Sequence, residues 1–419
     1  MLRLARFIVA GEWLWLLLLL PAVLFPDGWR GLALLPPLGI WLVRWLATRR
    51  FKPLTAYDTA VLLLAFMVLV SLYATFDITL SFPKIAGLIF GIFMFYGGVA
   101  VAQRHKNGVW YLVAFFLLVG IGMALIGLIG VSWSGPFAFL NRVKGILPIP
   151  ASIPGTIGGV INPNQMAGVL NWVTPLLLAL LIGLWRPLWT QIRYGWLISL
   201  SLLGMSLFAP FMLAATLSRG GIASLGISIL IMVAIARRWG RWLLVIVIMA
   251  AVGLAFHFGV NTLFGGELAE AGREFGMSGR LEIWSRALYG LQDFPFTGMS
   301  MNGFRRVVHI LYPLFLISPD TDIVHAHNHL LQVGLDLGIP GLIAYLSLWL
   351  ISVGLLWQSW RQASTPPHRA LIVGLSGALV GGWFFGVLDA ITLGARPGFL
   401  WWILLAMIAG VYQSDLTQR

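Results

Sequence analysis

The 419-residue chain contains no cysteine, so neither a disulfide framework nor a thiolate metal site is open to it. Charge is scarce as well. Charged residues make up only 10% of the chain and hydrophobic residues 59%, whereas a soluble domain carries roughly 25% charged residues. So little polar surface excludes a soluble fold. Acidic residues are fewest, 14 against 27 basic, giving a formal net charge of +13. That total would fit a nucleic-acid partner, but the placement does not. The basic residues gather in short segments between apolar runs, as at Arg49, Arg50 and Lys52, at Arg104 and Lys106, and at Arg237, Arg238 and Arg241. Short basic loops are the mark of cytoplasmic connections in a membrane protein. The basicity is mostly topology, and no nucleic-acid partner is expected.

What the chain has in abundance is apolar runs. They fall near 7–25, 31–46, 57–74, 82–102, 109–131, 158–184, 195–214, 220–236, 242–258, 337–357, 370–388 and 398–412. Each approaches the length needed to cross a hydrocarbon core of about 30 Å. Backbone polar groups in lipid must be satisfied within the segment, so these runs are expected to be helices. The 20 tryptophans cluster toward the run ends, where an amphipathic ring suits the interface. The reading is an all-α, polytopic protein of about twelve transmembrane helices. Its partner is the lipid bilayer of the cell inner membrane, and both termini are cytoplasmic. The first run carries Glu12 and lacks a small-residue cleavage site, so it reads as a retained helix and not a signal peptide.

Residues 1–258 hold the first nine runs, with a Pro/Gly-rich outside loop at 132–157. Residues 259–328 form a long outside, periplasmic loop, and residues 329–419 hold the last three runs. Loops of that length inside a compact protein are usually functional or disordered. In the second loop Leu281, Trp284, Leu288 and Leu291 recur at three- and four-residue steps, the spacing of an amphipathic helix lying on the membrane or on the bundle. Further on, Asn328 is placed to cap a helix starting at His329. The run Gly338-Ile339-Pro340-Gly341 is expected to break or kink that helix. No internal repeat is evident.

Arg219 is the most informative single residue. It is the only charge between Gly195 and Ala236 and precedes Gly220-Gly221 at a helix start. A charge near membrane depth is costly and functional by default, and free N–H groups at a helix N-terminus favour an anion. Arginine plus helix start is a phosphate site in outline; the bland alternative is an arginine snorkelling to the interface. On the loop helix Arg286 has Glu282 one turn before it, a local ion pair. Arg280 has no local carboxylate and is freer to meet an outside anion. His325, His327 and His329 alternate, so an extended backbone places all three on one face. Such a group suits a general base or zinc, although the usual carboxylate companions are not arranged around it in sequence; simple interfacial polarity is the plain alternative. Asp320-Thr321-Asp322 is a D-x-D tripeptide that reads first as solvated loop. Asn162 and Asn164 open the sixth run, as caps or as substrate contacts. Asp389 and Arg396 flank the last outside loop as secondary candidates, and Glu12 and Lys84 are unusual charges without an assigned role.

Four segments together resemble the bacterial O-antigen ligase and O-antigen polymerase superfamily, which includes some O-linked protein oligosaccharyltransferases. They are INPNQMAG, SRGG opening a helix, GRLEIWSRALYGLQDFPFTGMSMNGF, and HAHNHLLQVGLDLGIPGL, within roughly residues 158–412. The resemblance implies a GT-C-like membrane enzyme working at the periplasmic face. It implies transfer of a glycan from an undecaprenyl-diphosphate-linked donor to an acceptor hydroxyl, with inversion and with no cofactor, nucleotide sugar or metal. The acceptor is lipid A–core for a ligase, a second lipid-linked glycan for a polymerase, and a protein serine or threonine for an oligosaccharyltransferase; the ligase reading is preferred. Carried over by motif, Arg219 and Arg280 hold the diphosphate and His327, directly before Asn328, is the base, with His325 as the competing choice. Asn164, Asn328, Arg286 and Arg396 are secondary site candidates. A twelve-helix transporter is the rival from another class, but transporters tend to show repeated halves and a midplane site.

Overall fold

The computed structural model describes residues 35–146, 161–258, 277–391 and 393–417, with a few single positions before residue 20. The described residues are helical with no strand. In chain order the helices are α1 (Leu35–Thr48), α2 (Asp58–Ala74), α3 (Ile78–Arg104), α4 (Gly108–Gly130), α5 (Leu140–Ile146), α6 (Pro163–Gln191), α7 (Gly195–Ala215) and α8 (Arg219–Ala236). There follow α9 (Arg238–Phe258), α10 (Met277–Asp293), α11 (Phe304–Leu311), α12 (His329–Gln362), α13 (Pro366–Leu388) and α14 (Phe399–Thr417).

Among the described residues, eight helices are long and apolar enough to cross a membrane, and α2 is a shorter apolar one. The chain is an all-α polytopic membrane protein. Of the twelve expected spans, 7–25 and its Glu12 lie almost wholly outside the described residues. The span expected at 31–46 is represented by α1, only 14 residues long. Residues 147–157 and 259–276, parts of the two expected outside loops, also lie outside them.

The helix starts follow from capping. Asn162 accepts from Asn164 N with Pro163 at the first helical position of α6. Ser218 Oγ accepts from Gly221 N at the start of α8, and Asn328 Oδ1 accepts from Leu330 N and Leu331 N at 2.9 and 3.1 Å. The expected cap at Asn328 is therefore present. Helix α14 is buried on every side from Leu400 to Ala409, as an all-round apolar helix must be, and packs between α3, α4 and α12. Around it α6 packs on α13 and α7, and α8 on α13.

Two features place the site. First, α12 is broken at Gly338 (φ 68°, ψ −178°), in the conformational region that glycine alone enters freely. Ile339 N donates to Pro295 O at 2.7 Å, and a Cβ on Gly338 would lie 2.4 Å from Phe296 O. The chain then folds back: His329 Nδ1 lies 2.9 Å from Tyr345 Oη, sixteen residues on, a separation that a straight helix would stretch to about 24 Å. The break expected at Gly338–Gly341 is thus a hairpin that carries His329 alongside Tyr345 and Trp349.

Second, Lys84 has a partner. Its Nζ lies 2.6 Å from Asp336 Oδ2, with side-chain exposures of 8% and 2%. Asp336 Oδ1 also accepts from Asn302 N at 2.9 Å and Gln332 Nε2 at 2.9 Å. This buried pair ties α3 to the first arm of the hairpin and to the loop before α11.

The loop helix α10 forms as expected, but its packed face differs. The buried positions are Gly279, Ile283, Ala287 and Gly290, whereas Leu281 and Leu288 are exposed at 55% and 49%. The reason is close approach. A Cβ on Gly290 would meet Met299 Sδ and Leu335, so the small-residue stripe, not the leucine stripe, faces the hairpin. Of the expected apolar positions, Leu291 lies against Gly334.

Candidate functional site

The segment His325–Asn328 turns into the start of α12, facing the end of α13. His327 occupies the left-handed region (φ 48°), an uncommon and costly conformation for a non-glycine residue. As a result the three histidines do not share a face, and that expectation is corrected. The rings of His325 and His327 lie 4.3 Å apart, while His329, already helical, points into an aromatic box of Tyr345, Trp349 and Trp383.

Asp389, the residue that ends α13, is the centre of the cluster. Its Oδ1 lies 3.2 Å from His327 Nδ1, 3.8 Å from His325 Nε2 and 2.8 Å from Ala390 N. Its Oδ2 lies 3.8 Å from Arg280 Nη2. Arg280, without a local carboxylate, meets one from a distant part of the chain. Burial alone raises the Asp389 carboxyl, but the hydrogen bond from His327 and the neighbouring His325, His327 and Arg280 groups outweigh it and hold the group below the usual carboxylate range. The carboxylate is ionised, so it accepts, and His327 Nδ1 carries the donated proton. That leaves Nε2 as the basic nitrogen of the ring.

His325 is set up differently. Its Nδ1 accepts from His327 N at 3.1 Å, so its acceptor nitrogen is already engaged. Burial, with the adjacent His327, pushes its pKa down to about 3, which keeps it neutral at physiological pH. Geometry therefore favours His327 over His325 as the base.

His325, His327 and Asp389 offer three ligand atoms within 4.8 Å of one another. The fold supplies the carboxylate companion that the local sequence lacked, a correction to the earlier reading. The donor set nevertheless fits a metal poorly. Binding through His325 Nε2 would move its proton to Nδ1, opposite the His327 N–H. We expect EDTA to leave the reaction rate intact; a loss restored by zinc would identify this cluster as a metal centre, and a loss restored by magnesium would implicate Asp320 and Asp322. Asp322 is held by Arg305, with Oδ1 2.6 Å from Nε.

The other expected residues divide. Arg219 opens α8, exposed, with no side-chain partner among the described residues. Its neighbour Gly220 lies close to Leu388, the residue before Asp389, so the start of α8 lies near the end of α13. Asn164 sits in the first turn of α6, one turn before Gly168, which packs against Phe385 and Ile391. Asn328 caps α12 and donates from Nδ2 to Val387 O at 3.1 Å, joining the His325–Asn328 turn to the end of α13. Arg396 starts a short 3-10 turn, half-buried and without a side-chain partner among the described residues. Arg286 is not brought to the cluster. It donates to Pro313 O at 2.8 Å, lies over Phe315 and pairs with Glu282 at 3.9 Å. Glu282 itself accepts from Phe315 N and Leu316 N, so this pair fastens the loop after α11.

Sequence reasoning ranked Asp389 too low and did not single out Gln332 or Asp336. Asp389 carried a signal, since it ends an apolar 23-residue helix. Gln332 and Asp336 carried only their spacing of four on the arm that follows Asn328.

No curated protein matches the chain. Residues 203–346 match the family model described as O-Antigen ligase, a stretch that contains Arg219, Arg280, His325, His327 and Asn328 but ends before Asp389. Over that segment, about a third of its length, the chain is similar to the O-antigen ligase family, whose members are glycosyltransferase-type enzymes.

Proposed function

We propose that the protein is an O-antigen ligase-type glycosyltransferase. It moves a glycan from an undecaprenyl-diphosphate-linked donor to a hydroxyl of lipid A–core at the periplasmic face of the inner membrane. The observation that carries this reading is the run Arg280–Asp389–His327, a cation and an imidazole joined through one buried carboxylate.

In this mechanism Asp389 fixes the His327 tautomer, and His327 Nε2 takes the proton of the acceptor hydroxyl as its oxygen attacks the anomeric carbon. The bond from that carbon to the diphosphate oxygen breaks, and the leaving diphosphate keeps the electron pair. Arg219 and Arg280 stabilise the charge that develops there. Displacement from the opposite side inverts the anomeric centre. Lipid carries the donor to the site, and the hairpin of α12 anchors His329, two residues after the base, beside Tyr345 and Trp349, two to three turns along from the Gly338 break.

Arg219→Ala and Arg280→Ala are each expected to weaken binding of a diphosphate lipid analogue, by about 10–100-fold for a charge-assisted contact worth about 1.5–3 kcal/mol. Unchanged affinity in both variants would remove them from the donor site. The acceptor is read by incubating purified protein with lipid-linked glycan and each acceptor class, followed by gel analysis. A product on lipid A–core supports a ligase. Lengthened lipid-linked glycan indicates a polymerase, and a glycosylated protein indicates an oligosaccharyltransferase.

A further inference from the structure

The base-bearing turn is held in a costly shape, and one buried side chain reaches back to hold it. Gln332, 1% exposed, lies one turn into the hairpin arm. Its Oε1 accepts from Ala326 N at 2.8 Å, the backbone group between His325 and His327. Its Nε2 donates to Asp336 Oδ1 at 2.9 Å. Asp336 in turn holds Asn302 N and the Lys84 ammonium. The chain of contacts therefore runs from α3, through Lys84, Asp336 and Gln332, to the peptide that precedes the proposed base.

We infer that Gln332 is a positioning residue for His327. This rests on the reading of His327 as the base. Three physical points support it. A left-handed non-glycine residue persists only where its surroundings over-determine it, and the Gln332–Ala326 bond fixes the peptide immediately before it. The bond resembles a capping box, in which a glutamine near the helix start returns to a backbone N–H, but Gln332 reaches two residues before the cap, into the turn itself. Its other end is not free to swing, because Asp336 is occupied on both oxygens by buried partners. Loss of the bond leaves Asn328 and Asp389 in place, so the turn persists but its rotation about Ala326 relaxes and Nε2 of His327 shifts off the line of proton transfer.

The test is kinetic, on the full chain in detergent or vesicles. Gln332→Met keeps the side-chain length and loses both hydrogen bonds. We expect kcat to fall by about 10–100-fold, the scale of an ångström-sized misplacement, with KM for the donor lipid and binding of a diphosphate lipid analogue unchanged. The deciding readout is coupling. His327→Ala with Gln332→Met should be no slower than His327→Ala alone, because a residue that acts only through another has nothing further to lose. Multiplicative losses, a donor KM that rises in step with falling kcat, or full activity in Gln332→Met would each overturn the inference. If His327→Ala itself retains full activity, the base assignment fails instead, and the two failures are told apart by that single variant.

Discussion

Replacing His327 with alanine is expected to slow glycan transfer by about 10²–10⁴-fold, the usual contribution of a positioned general base, while the protein still inserts and binds donor. The ring meets Arg280 through Asp389, so its loss should leave the affinity for a diphosphate lipid analogue close to that of the parent. Asp389→Asn separates orientation from bulk. An asparagine in place of the carboxylate can present its amide N–H to His327 Nδ1, favouring the tautomer in which Nε2 carries the proton and cannot accept one. A loss comparable to that of His327→Ala is expected, as in other systems where an amide replaces the orienting carboxylate. His325→Gln should be far milder, since the His325 acceptor nitrogen is already engaged by the His327 N–H. Rates are read by single-turnover transfer from lipid-linked glycan. Equal losses in the His325 and His327 variants would contradict the division of roles.

The second large effect is on stability. Lys84→Met removes one partner of a pair whose side chains are 8% and 2% exposed. Breaking a buried ion pair from one side costs about 3–5 kcal/mol, because the remaining charge is left without compensation. Asp336 would keep its bonds from Asn302 N and Gln332 Nε2, which places the effect toward the lower end of that range. Adding Asp336→Asn should recover much of the loss, since asparagine can still accept from Asn302 N and no longer carries the stranded charge. Thermal unfolding in detergent measures both variants. A double variant less stable than Lys84→Met alone would show that the pair is not the unit that matters here.

The helices were legible because the apolar runs are long and the caps local. Asn328, Asn162 and Ser218 each announce a helix start within three residues, and all three cap as expected or as their type permits. The break at Gly338 was legible for the same reason. The direction of the chain after it was not, since a glycine-proline pair marks a bend without setting its angle. The packed face of α10 misled because leucine periodicity reports hydrophobicity, whereas close approach to the hairpin required Gly290. A leucine stripe on a protein bordered by lipid has no need to turn inward.

Within the site, His325, His327 and Arg280 were readable as types, but their roles were not separable. The left-handed φ at His327 splits the histidines, and nothing in an alternating His-x-His-x-His pattern encodes that split. Asp389 lies 62 residues from His327, and Lys84 lies 252 residues from Asp336. Each is an ordinary charge until packing of α13 against α6 and of α3 against α14 brings it home. Arg286 illustrates the opposite case, where the local ion pair with Glu282 expected from the sequence is present.

The most direct measurement follows both products in one reaction. Purified protein is mixed with a lipid-linked glycan of defined anomeric configuration and lipid A–core, and glycosylated acceptor and released undecaprenyl diphosphate are quantified together. Glycosyl transfer at the Arg280–Asp389–His327 site predicts one lipid diphosphate released per glycan transferred, an inverted linkage, and loss of both products together in His327→Ala. Donor left intact while the reconstituted protein moves solute across vesicles, or transfer that proceeds unchanged in His327→Ala, would contradict it.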